Sequence, residues 1–465
     1  MTRVSPVVTG IAGSFSLVSS QLILEEEFLE HARAVALRIL IDIEEKGAYS
    51  HIALQKLTGM ERREMALVTE LVNGVTRRRL TLDYVLDQFL KFPLSGLTYP
   101  IRNDLRLGAY QLLHTRIPPR AAIDESVKLA HKYGHPGIAN LVNGVLRSLD
   151  RRREDLSMPS REDSLKYLSI TYSLPEWIAA LWLERGFEEA KMLAEFSLKP
   201  SRLTLRCNLL KTSREALIEK ILAAGVDVEP GVLPEAIRLN RSVALAEIPG
   251  YNEGEWFVQG EGAMLASRLL APQPGELVLD IGAAPGGKAT HLAELMGERG
   301  RILAIDINQA RLELVKSNAK RLGIRNIETI AADAAKPLSW EADRILLDVP
   351  CSGLGLLSRK PDIRWHQNPE EAKKLPELQS TMLDSAAKAL KPGGTLLYST
   401  CTIRPAENED VVSSFLERNP DFRALDLSSR LPEEWRPDSH DGMLQLLPHV
   451  HKTEGFFVAL LEKKS

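Results

Sequence analysis

The chain has 465 residues, of which 44% are hydrophobic and 26% are charged, and its formal net charge is −3. This length exceeds one ordinary hydrophobic core, so the sequence predicts several domains. No apolar run reaches the roughly 18 residues that a membrane helix needs, and the three cysteines form no Cys-x-x-Cys pair. We therefore expect a cytoplasmic protein without a membrane segment, a disulfide framework or a metal site. The sequence does not determine the oligomeric state, and a monomer is favoured.

Residues 1–29 are predicted to be an N-terminal extension that is poorly ordered. They contain one basic residue, Arg3, and a broken apolar stretch, which is a poor match to a signal peptide. The next segment, residues 30–155, is predicted to be an all-helical domain. Its apolar residues recur at the spacing of one helix face, beginning with Ala32, Val35, Ala36, Ile39, Leu40 and Ile43.

The helical segment is also more basic than the rest of the chain. It holds 20 Lys and Arg residues against 15 Asp and Glu residues, which favours a polyanion as partner. The sequence LVNGV occurs at 71–75 and again at 141–145, and suggests two related helical sub-bundles. Arg77, Arg78 and Arg79 follow the first copy; they suit contacts to RNA phosphates, and a solvated helix end is the alternative.

Residues 156–250 are predicted to contain linker helices and then a small α+β subdomain. Helical periodicity runs from 165 to 200, and an alternating pattern follows at 202–210. A helix is expected at 216–224 and a short strand at 237–239. Cys207 is expected to be a buried strand residue.

Residues 251–465 are predicted to form an α/β domain with a mostly parallel, doubly wound sheet. Six apolar runs separated by helical patterns are expected as strands, at 277–279, 302–305, 328–331, 344–347, 395–399 and 456–461. Parallel strands bring their carboxyl ends to one edge of the sheet, where ligands bind. Functional residues are therefore expected in the loops that follow these strands.

The loop after the first of these strands has the sequence GAAPGGK, from Gly282 to Lys288. Glycines allow backbone N–H groups to approach a ligand, and the following helix presents its positive N-terminus. The spacing fits a P-loop, but Ala289 stands where a P-loop needs Ser or Thr to hold magnesium, and Pro285 removes one N–H group. The other interpretation is a cofactor that contains a nucleoside and no phosphate chain.

Two aspartates favour the nucleoside interpretation. Asp306 ends the second strand, where an acidic side chain can bind the ribose hydroxyls, and Asp333 follows the third strand, where a carboxylate can accept the adenine amino group. Each could instead cap a helix. The order of loop, ribose acid and base acid predicts S-adenosylmethionine in a Rossmann-like methyltransferase.

The other two cysteines follow the fourth and fifth strands, Cys351 in DVPCSG and Cys401 in YSTCT. Both are expected at the carboxyl edge beside the glycine loop. Carbon 5 of cytosine attacks a methyl sulfonium only after a thiolate has added to carbon 6 of the ring. A carboxyl group such as Asp348 can assist by hydrogen bonding to N3, and a second cysteine can assist release.

Four motifs, VLDIGAAPGGK, DVPCSG, KPDIRW and YSTCT, resemble those of the RsmB/NOP family of RNA cytosine-C5 methyltransferases. The helical segment resembles the NusB-type RNA-binding domain of the RsmB branch, which modifies 16S rRNA, and the small subdomain is then RRM-like. The resemblance implies that Cys401 is the nucleophile and Cys351 the release cysteine. The implied cofactor and site residues are Gly282, Ala283, Ala284, Pro285, Gly286, Gly287, Lys288, Asp306, Asp333 and Asp348.

Two positions depart from the family pattern. Gly282 replaces a frequent cysteine, and Gln259-Gly260-Glu261 replaces a Gln-Asp element near the cofactor. Further RNA contacts are expected from Arg359, Lys360 and Arg364. The alternatives to 16S rRNA cytosine methylation are a non-catalytic NusB-like RNA-binding factor and a P-loop nucleotidase.

Overall fold

The computed structural model describes residues 32–57, 59–241 and 243–465. The predicted extension at 1–29 lies outside these ranges. The described chain has the predicted organisation of a helical domain, linker helices with a small α+β subdomain, and an α/β domain. Within the described ranges, no helix is long and apolar enough to cross a membrane.

The helical domain confirms the predicted periodicity, and its apolar helix faces form one core. Its helices are α1 (Ala32–Lys46), α2 (Ser50–Gln55), α3 (Arg62–Arg77), α4 (Arg79–Asp87), α5 (Tyr99–His114), α6 (Pro119–Tyr133) and α7 (Pro136–Arg152). The two LVNGV copies pack differently. A Cβ on Gly74 of α3 would lie 2.0 Å from the Tyr110 ring, whereas a Cβ on Gly144 of α7 would meet open space. The repeat therefore does not mark equivalent positions.

The linker helices and the small subdomain follow. The elements are α8 (Ser164–Thr171), α9 (Glu176–Leu183), α10 (Phe187–Leu198), β1 (Thr204–Cys207), α11 (Arg214–Ala223), β2 (Val228–Pro230), β3 (Ala236–Leu239) and β4 (Trp256–Val258). The strands form an antiparallel sheet in the order β2-β3-β1-β4, and Cys207 is buried in it as predicted. Since β4 belongs to this sheet, the predicted boundary at residue 250 is too early. A strand of three residues shows too little alternation to be detected from sequence.

The α/β domain contains the remaining elements. They are α12 (Glu261–Leu270), β5 (Leu277–Ile281), α13 (Gly287–Leu295), β6 (Arg301–Asp306), α14 (Gln309–Leu322), β7 (Ile327–Ala331), β8 (Ala342–Asp348), α15 (Ile363–His366), α16 (Pro369–Ala372), α17 (Leu375–Lys388), β9 (Leu390–Thr400), α18 (Glu409–Arg418), β10 (Phe422–Ala424), β11 (Ser439–His440), β12 (Met443–Leu446), α19 (Pro448–His451) and β13 (Phe456–Lys463). All six predicted strands are confirmed, as β5, β6, β7, β8, β9 and β13.

Five strands form a parallel sheet in the order β7-β6-β5-β8-β9, and β13, β12 and β11 extend it antiparallel beyond β9. The strand β10 pairs with β13. The chain runs outward from β5 through β6 and β7, and later returns to the other side of β5 as β8. The order of strands therefore reverses at β5, and the loops after β5, β8 and β9 meet at one crevice of the carboxyl edge.

Candidate active site

The loop between β5 and α13 bends sharply, and two of its glycines have positive φ. At Gly282, φ is +78°, and a Cβ there would lie 2.2 Å from the carbonyl oxygen of Asp348. At Gly286, φ is +102°, and a Cβ would lie 3.1 Å from Val315 on α14. Glycine at 282 thus lets the loop pass directly over the end of β8. This backbone leaves no room for the cysteine that the family often has at that position.

Two carboxylates lie beside this loop. Asp306, at the end of β6, is buried, and its carboxylate accepts hydrogen bonds from the backbone N–H groups of Ala284 (3.3 Å) and Asn308 (2.9 Å). Asn308, and not Asp306, caps α14, so the capping alternative is wrong for Asp306. Asp333 follows β7 and accepts from the N–H of Ala335 at 3.0 Å.

An ion pair joins the loop to the end of β8. The Lys288 ammonium donates to Asp348 Oδ2 at 2.7 Å, and the Ser399 hydroxyl donates to Asp348 Oδ1 at 2.9 Å. Burial disfavours the charge on Lys288, but the Asp348 carboxylate outweighs it and raises the pKa of Lys288. Beneath them Asp280 is fully buried, and this burial raises its pKa to about 7. The site therefore holds the ion pair of Lys288 and Asp348 together with a buried carboxyl group, that of Asp280, which is easily protonated.

The two cysteines lie together, as the strand order predicts. Their Sγ atoms are 3.2 Å apart, and both side chains are partly exposed. A hydrogen bond from the Cys351 thiol lowers the pKa of Cys401, with help from the charges of Lys288 and Lys360. The same hydrogen bond, with burial, raises the pKa of Cys351 well above its ordinary value. The two sulfurs are close enough to share one proton, and the directions of the two pKa shifts favour Cys401 as the thiolate of the pair.

Groups outside the predicted set hold the two cysteine loops in place. The hydroxyls of Ser352 and Thr402 are 2.8 Å apart, and the N–H of Ser352 donates to the buried Glu407 carboxylate at 2.8 Å. The N–H of Gly355 donates to the carbonyl oxygen of Cys401 at 3.1 Å. Sequence reasoning missed Glu407. In the sequence, Glu407 is only an acidic residue six positions after Cys401. Acidic residues are common just before a helix, so the sequence does not distinguish this one.

The arginines expected to bind RNA divide into two groups. Arg364 is fully buried, so the expectation that it contacts RNA is wrong. Arg77 is also buried and donates to the carbonyl of Ser358 at 3.2 Å, and Arg79 lies 5.2 Å from the centre of the Trp365 ring. The buried Arg77 and Arg364 join domains of the protein instead, whereas Arg79 stays partly exposed. Arg359 is exposed, and Arg78 and Lys360 are partly exposed.

The Gln259-Gly260-Glu261 element, which differs from the family pattern, is held by hydrogen bonds to the small subdomain. The Gln259 side chain accepts a hydrogen bond from Arg206 of β1, on the inner side of the glycine loop. Glu261 is buried and accepts from Arg238 and from the N–H groups of Val232 (2.7 Å) and Leu233 (3.1 Å). Both residues connect the small subdomain to the α/β domain.

The sheet order, the glycine loop and the edge carboxylates define a Rossmann-like domain of the methyltransferase type. The family described as 16S rRNA methyltransferase RsmB/F matches residues 267–462. The NusB family matches residues 30–151, and the ferredoxin-like domain of RsmF/B-like methyltransferases matches residues 174–246. The three matches fall on the three parts of the fold.

Relatives extend the similarity to the whole chain. A Bacillus subtilis (strain 168) protein described as a probable ribosomal RNA small subunit methyltransferase B is 40% identical over 443 residues, which cover 93% of this chain and 98% of that protein. The crystal structure of PH0851 is 27% identical, with a TM-score of 0.79, and covers 94% of this chain and 100% of that one. NSun6 from Pyrococcus horikoshii, crystallised with SFG, is 25% identical, with a TM-score of 0.57, and covers 63% of this chain and 98% of that one.

The chain belongs to the ribosomal RNA small subunit methyltransferase B family. It is thus a methyltransferase of the S-adenosylmethionine-dependent rRNA class with a NusB-type RNA-binding domain.

Proposed function

We propose that the protein transfers a methyl group from S-adenosylmethionine to carbon 5 of a cytosine in 16S rRNA, with Cys401 as the nucleophile and Cys351 as the release cysteine. The observation that carries the proposal is the pair of thiols 3.2 Å apart, in which the pKa of Cys401 is lowered and that of Cys351 is raised. A reaction that first needs a thiolate and then a neighbouring proton donor fits this asymmetry.

The residues at the carboxyl edge suit the cofactor. Gly282 and Gly286 have positive φ and let the loop bend over the carboxyl edge, and Asp306 and Asp333 present carboxylates that can bind ribose hydroxyls and an adenine amino group. The related NSun6 structure contains SFG, an S-adenosylmethionine analogue, which supports this assignment. When bound, S-adenosylmethionine supplies a methyl group on an electrophilic sulfonium.

Cys401 begins the reaction with the base flipped into the crevice. Its thiolate forms a bond to carbon 6, and the π electrons of the C5–C6 bond make carbon 5 nucleophilic. Lys288 and Lys360 favour the thiolate by their charge before attack. In its protonated form the Asp348 carboxyl group, which lies 2.7 Å from Lys288, can donate a hydrogen bond to N3 of the base and so withdraw electrons from the ring.

Cys351 acts at the end of the reaction. After methylation, a water molecule takes the proton from carbon 5, and the electrons of that C–H bond re-form the C5–C6 double bond. The bond between carbon 6 and sulfur then breaks, and its electron pair leaves on the Cys401 sulfur. The Cys351 thiol donates to the departing Cys401 sulfur, to which it is already hydrogen-bonded. Loss of this donor slows release and leaves the RNA attached to Cys401.

The RNA is held by groups around the crevice and by the helical domain. Arg359 and Lys360 lie on the segment that follows Cys351, and their exposure makes them candidates for contacts to phosphates near the flipped base. Arg78 of the helical domain is partly exposed and is a further candidate. The NusB-type domain then contributes affinity for a longer stretch of 16S rRNA.

Methyl transfer to purified RNA tests the proposal. Deproteinised 16S rRNA and whole small subunits are incubated with the protein and labelled S-adenosylmethionine, and bisulfite sequencing locates the modified base. We expect label in 16S rRNA and one cytosine that becomes protected. Label at a purine, or at a cytosine that stays sensitive to bisulfite, contradicts the proposal.

The same assay addresses the alternatives. A non-catalytic RNA-binding factor binds 16S rRNA but transfers no label to either substrate. A P-loop nucleotidase binds ATP in a magnesium-dependent manner, which equilibrium dialysis against ATP and S-adenosylmethionine detects. Ala289, fully buried in the first turn of α13, has no oxygen to offer magnesium and favours the methyltransferase.

A further inference from the structure

Arg206 is a fully buried arginine on β1 of the small subdomain, and its side chain points into the α/β domain. Two of its hydrogen bonds go to Glu294 on α13, at 2.7 and 3.1 Å. A third goes to the Thr290 hydroxyl at 3.0 Å, a fourth to the Gly287 carbonyl at 2.6 Å, and a fifth to the Gln259 side chain. The guanidinium therefore has a partner for each of its nitrogens.

The three partners on α13 lie along one face of that helix. Gly287 is its first residue and the last glycine of the loop, and Glu294 is two turns further on. A single planar group thus joins the beginning of the helix to its end. The guanidinium group is planar, so its hydrogen bonds to Gly287 and to Glu294 have a fixed angle between them. These bonds therefore fix the position of Gly287 relative to β1.

A second contact between the same two parts runs parallel to the first. Glu235, just before β3, is buried and lies 3.1 Å from Nε2 of His291 on α13. The other oxygen of Glu235 accepts from Arg268 of α12 at 3.0 Å. The small sheet and α13 are consequently connected by two buried polar contacts in addition to apolar packing.

We propose that Arg206 is a positioning residue for the methyl donor, by which the small subdomain holds the glycine loop and the start of α13 in the conformation that binds S-adenosylmethionine. The proposal rests on the proposed function and extends it, because it gives the small subdomain a role in cofactor binding as well as any role in RNA binding. Arg206 acts through the Gly287 carbonyl and the loop.

The charge of Arg206 is balanced by that of Glu294. A variant that removes both charges can therefore separate the effect of Arg206 on the glycine loop from its effect on stability. Glu294 has a side chain that is 3% exposed and forms the ion pair with it. Removing Arg206 alone leaves a buried carboxylate without its partner and destabilises the protein. Removing both charges avoids this penalty but still deletes the bond to Gly287.

The test measures S-adenosylmethionine binding by isothermal titration calorimetry, with the full chain and without RNA. The variants are Arg206→Gln, the double variant Arg206→Gln with Glu294→Gln, and Arg202→Gln as control. Arg202 lies on the same segment but forms an exposed ion pair with Glu229 at 2.7 Å. Thermal unfolding of each variant is recorded in parallel.

We expect the double variant to recover thermal stability relative to Arg206→Gln while its dissociation constant stays about tenfold above that of the wild type. Arg202→Gln should bind as the wild type does. A double variant that binds within twofold of the wild type overturns the inference and makes the Arg206 contacts purely structural. Absence of binding by the wild type itself would instead contradict the proposed function.

Discussion

Two groups of charged and polar side chains in the α/β domain differ in their burial and in their partners. The catalytic edge consists of Lys288, Asp348, Cys351 and Cys401, and the domain junction consists of Asp362, Arg364 and Trp365 in the KPDIRW motif with their partners. At the catalytic edge, opposite charges face each other, the side chains are partly exposed, and the thiol pKa values are displaced in opposite directions. These are properties of a reactive site.

The domain junction buries its charges and hydrogen-bonds them mainly to backbone groups of other segments. Arg364 is fully buried and donates to five carbonyls, those of Arg77, Tyr172, Ser173, Ser197 and Leu357, which belong to the helical domain, the linker helices and the α/β domain. Asp362 accepts from the N–H and hydroxyl of Ser50, and the Trp365 indole donates to the carbonyl of Thr76 at 2.7 Å. The comparison teaches that neighbouring motifs have different roles: DVPCSG carries a cysteine of the proposed reaction, and KPDIRW fixes the helical domain on the α/β domain.

The largest effect is expected at the catalytic edge. Cys401→Ala should lower kcat on the order of 10⁴-fold or more, because the pKa of the neighbouring Cys351 thiol is raised and that thiol supplies little thiolate. The unfolding temperature should change little. Labelled methyl transfer and thermal unfolding measure the two quantities. Cys207→Ala is the matched control: it removes a thiol buried in the small sheet and should lower stability by about 1 kcal/mol without loss of kcat. Equal losses of kcat in Cys401→Ala and Cys207→Ala would contradict the assignment of Cys401 as the reactive thiol.

Substitutions in the domain junction should lower stability and leave binding of S-adenosylmethionine unchanged. Arg364→Met deprives five buried carbonyls of their donor and should lower the free energy of unfolding by about 2–4 kcal/mol. Folded protein should keep its affinity for S-adenosylmethionine, since Arg364 lies away from the glycine loop. Urea unfolding measures the free energy of unfolding, and calorimetry measures the affinity for S-adenosylmethionine. Arg359→Met, at an exposed neighbouring position, should stay within about 0.5 kcal/mol of the wild type, and a loss as large as that of Arg364→Met would contradict the account.

A smaller effect concerns the pH dependence of Cys401. The folded protein lowers its pKa, chiefly through the hydrogen bond from Cys351, so the reactive thiolate is present at lower pH than in an ordinary cysteine. Cys351→Ala removes the donor and should move the pH midpoint of Cys401 alkylation by iodoacetamide to higher pH. At pH 7 the alkylation rate should therefore fall. A midpoint that does not move, or moves to lower pH, would show that Cys351 does not stabilise the thiolate.

The sequence predicted the features that depend on local patterns. The apolar runs that became β5, β6, β8 and β9 are buried on both faces of the sheet, so they stand out from their surroundings. The topology of such a sheet then brings the loop at Gly282 and the two cysteines to one edge, without any knowledge of side-chain contacts. That step was sufficient to place Cys351 beside Cys401.

The features that were missed depend on contacts between distant segments. Arg364 was expected to bind RNA because an arginine in a polar loop usually faces solvent, and only the packing of three domains around it reverses this. Arg206 lies in a strand in which polar and apolar residues alternate in the usual way. No neighbouring residue in the sequence indicates that Glu294 will lie 2.7 Å away. Glu407 likewise acquires its role only when β9 brings it beside Ser352.

The most direct test of the central claim, attack by Cys401 on cytosine, is the detection of a covalent complex between protein and RNA. Cys351→Ala is incubated with 16S rRNA and S-adenosylmethionine, and the mixture is run on a denaturing gel beside Cys401→Ala and the wild type. We predict a band of protein attached to RNA for Cys351→Ala alone. A covalent band for Cys401→Ala, or full methyl transfer by that variant, would contradict the account.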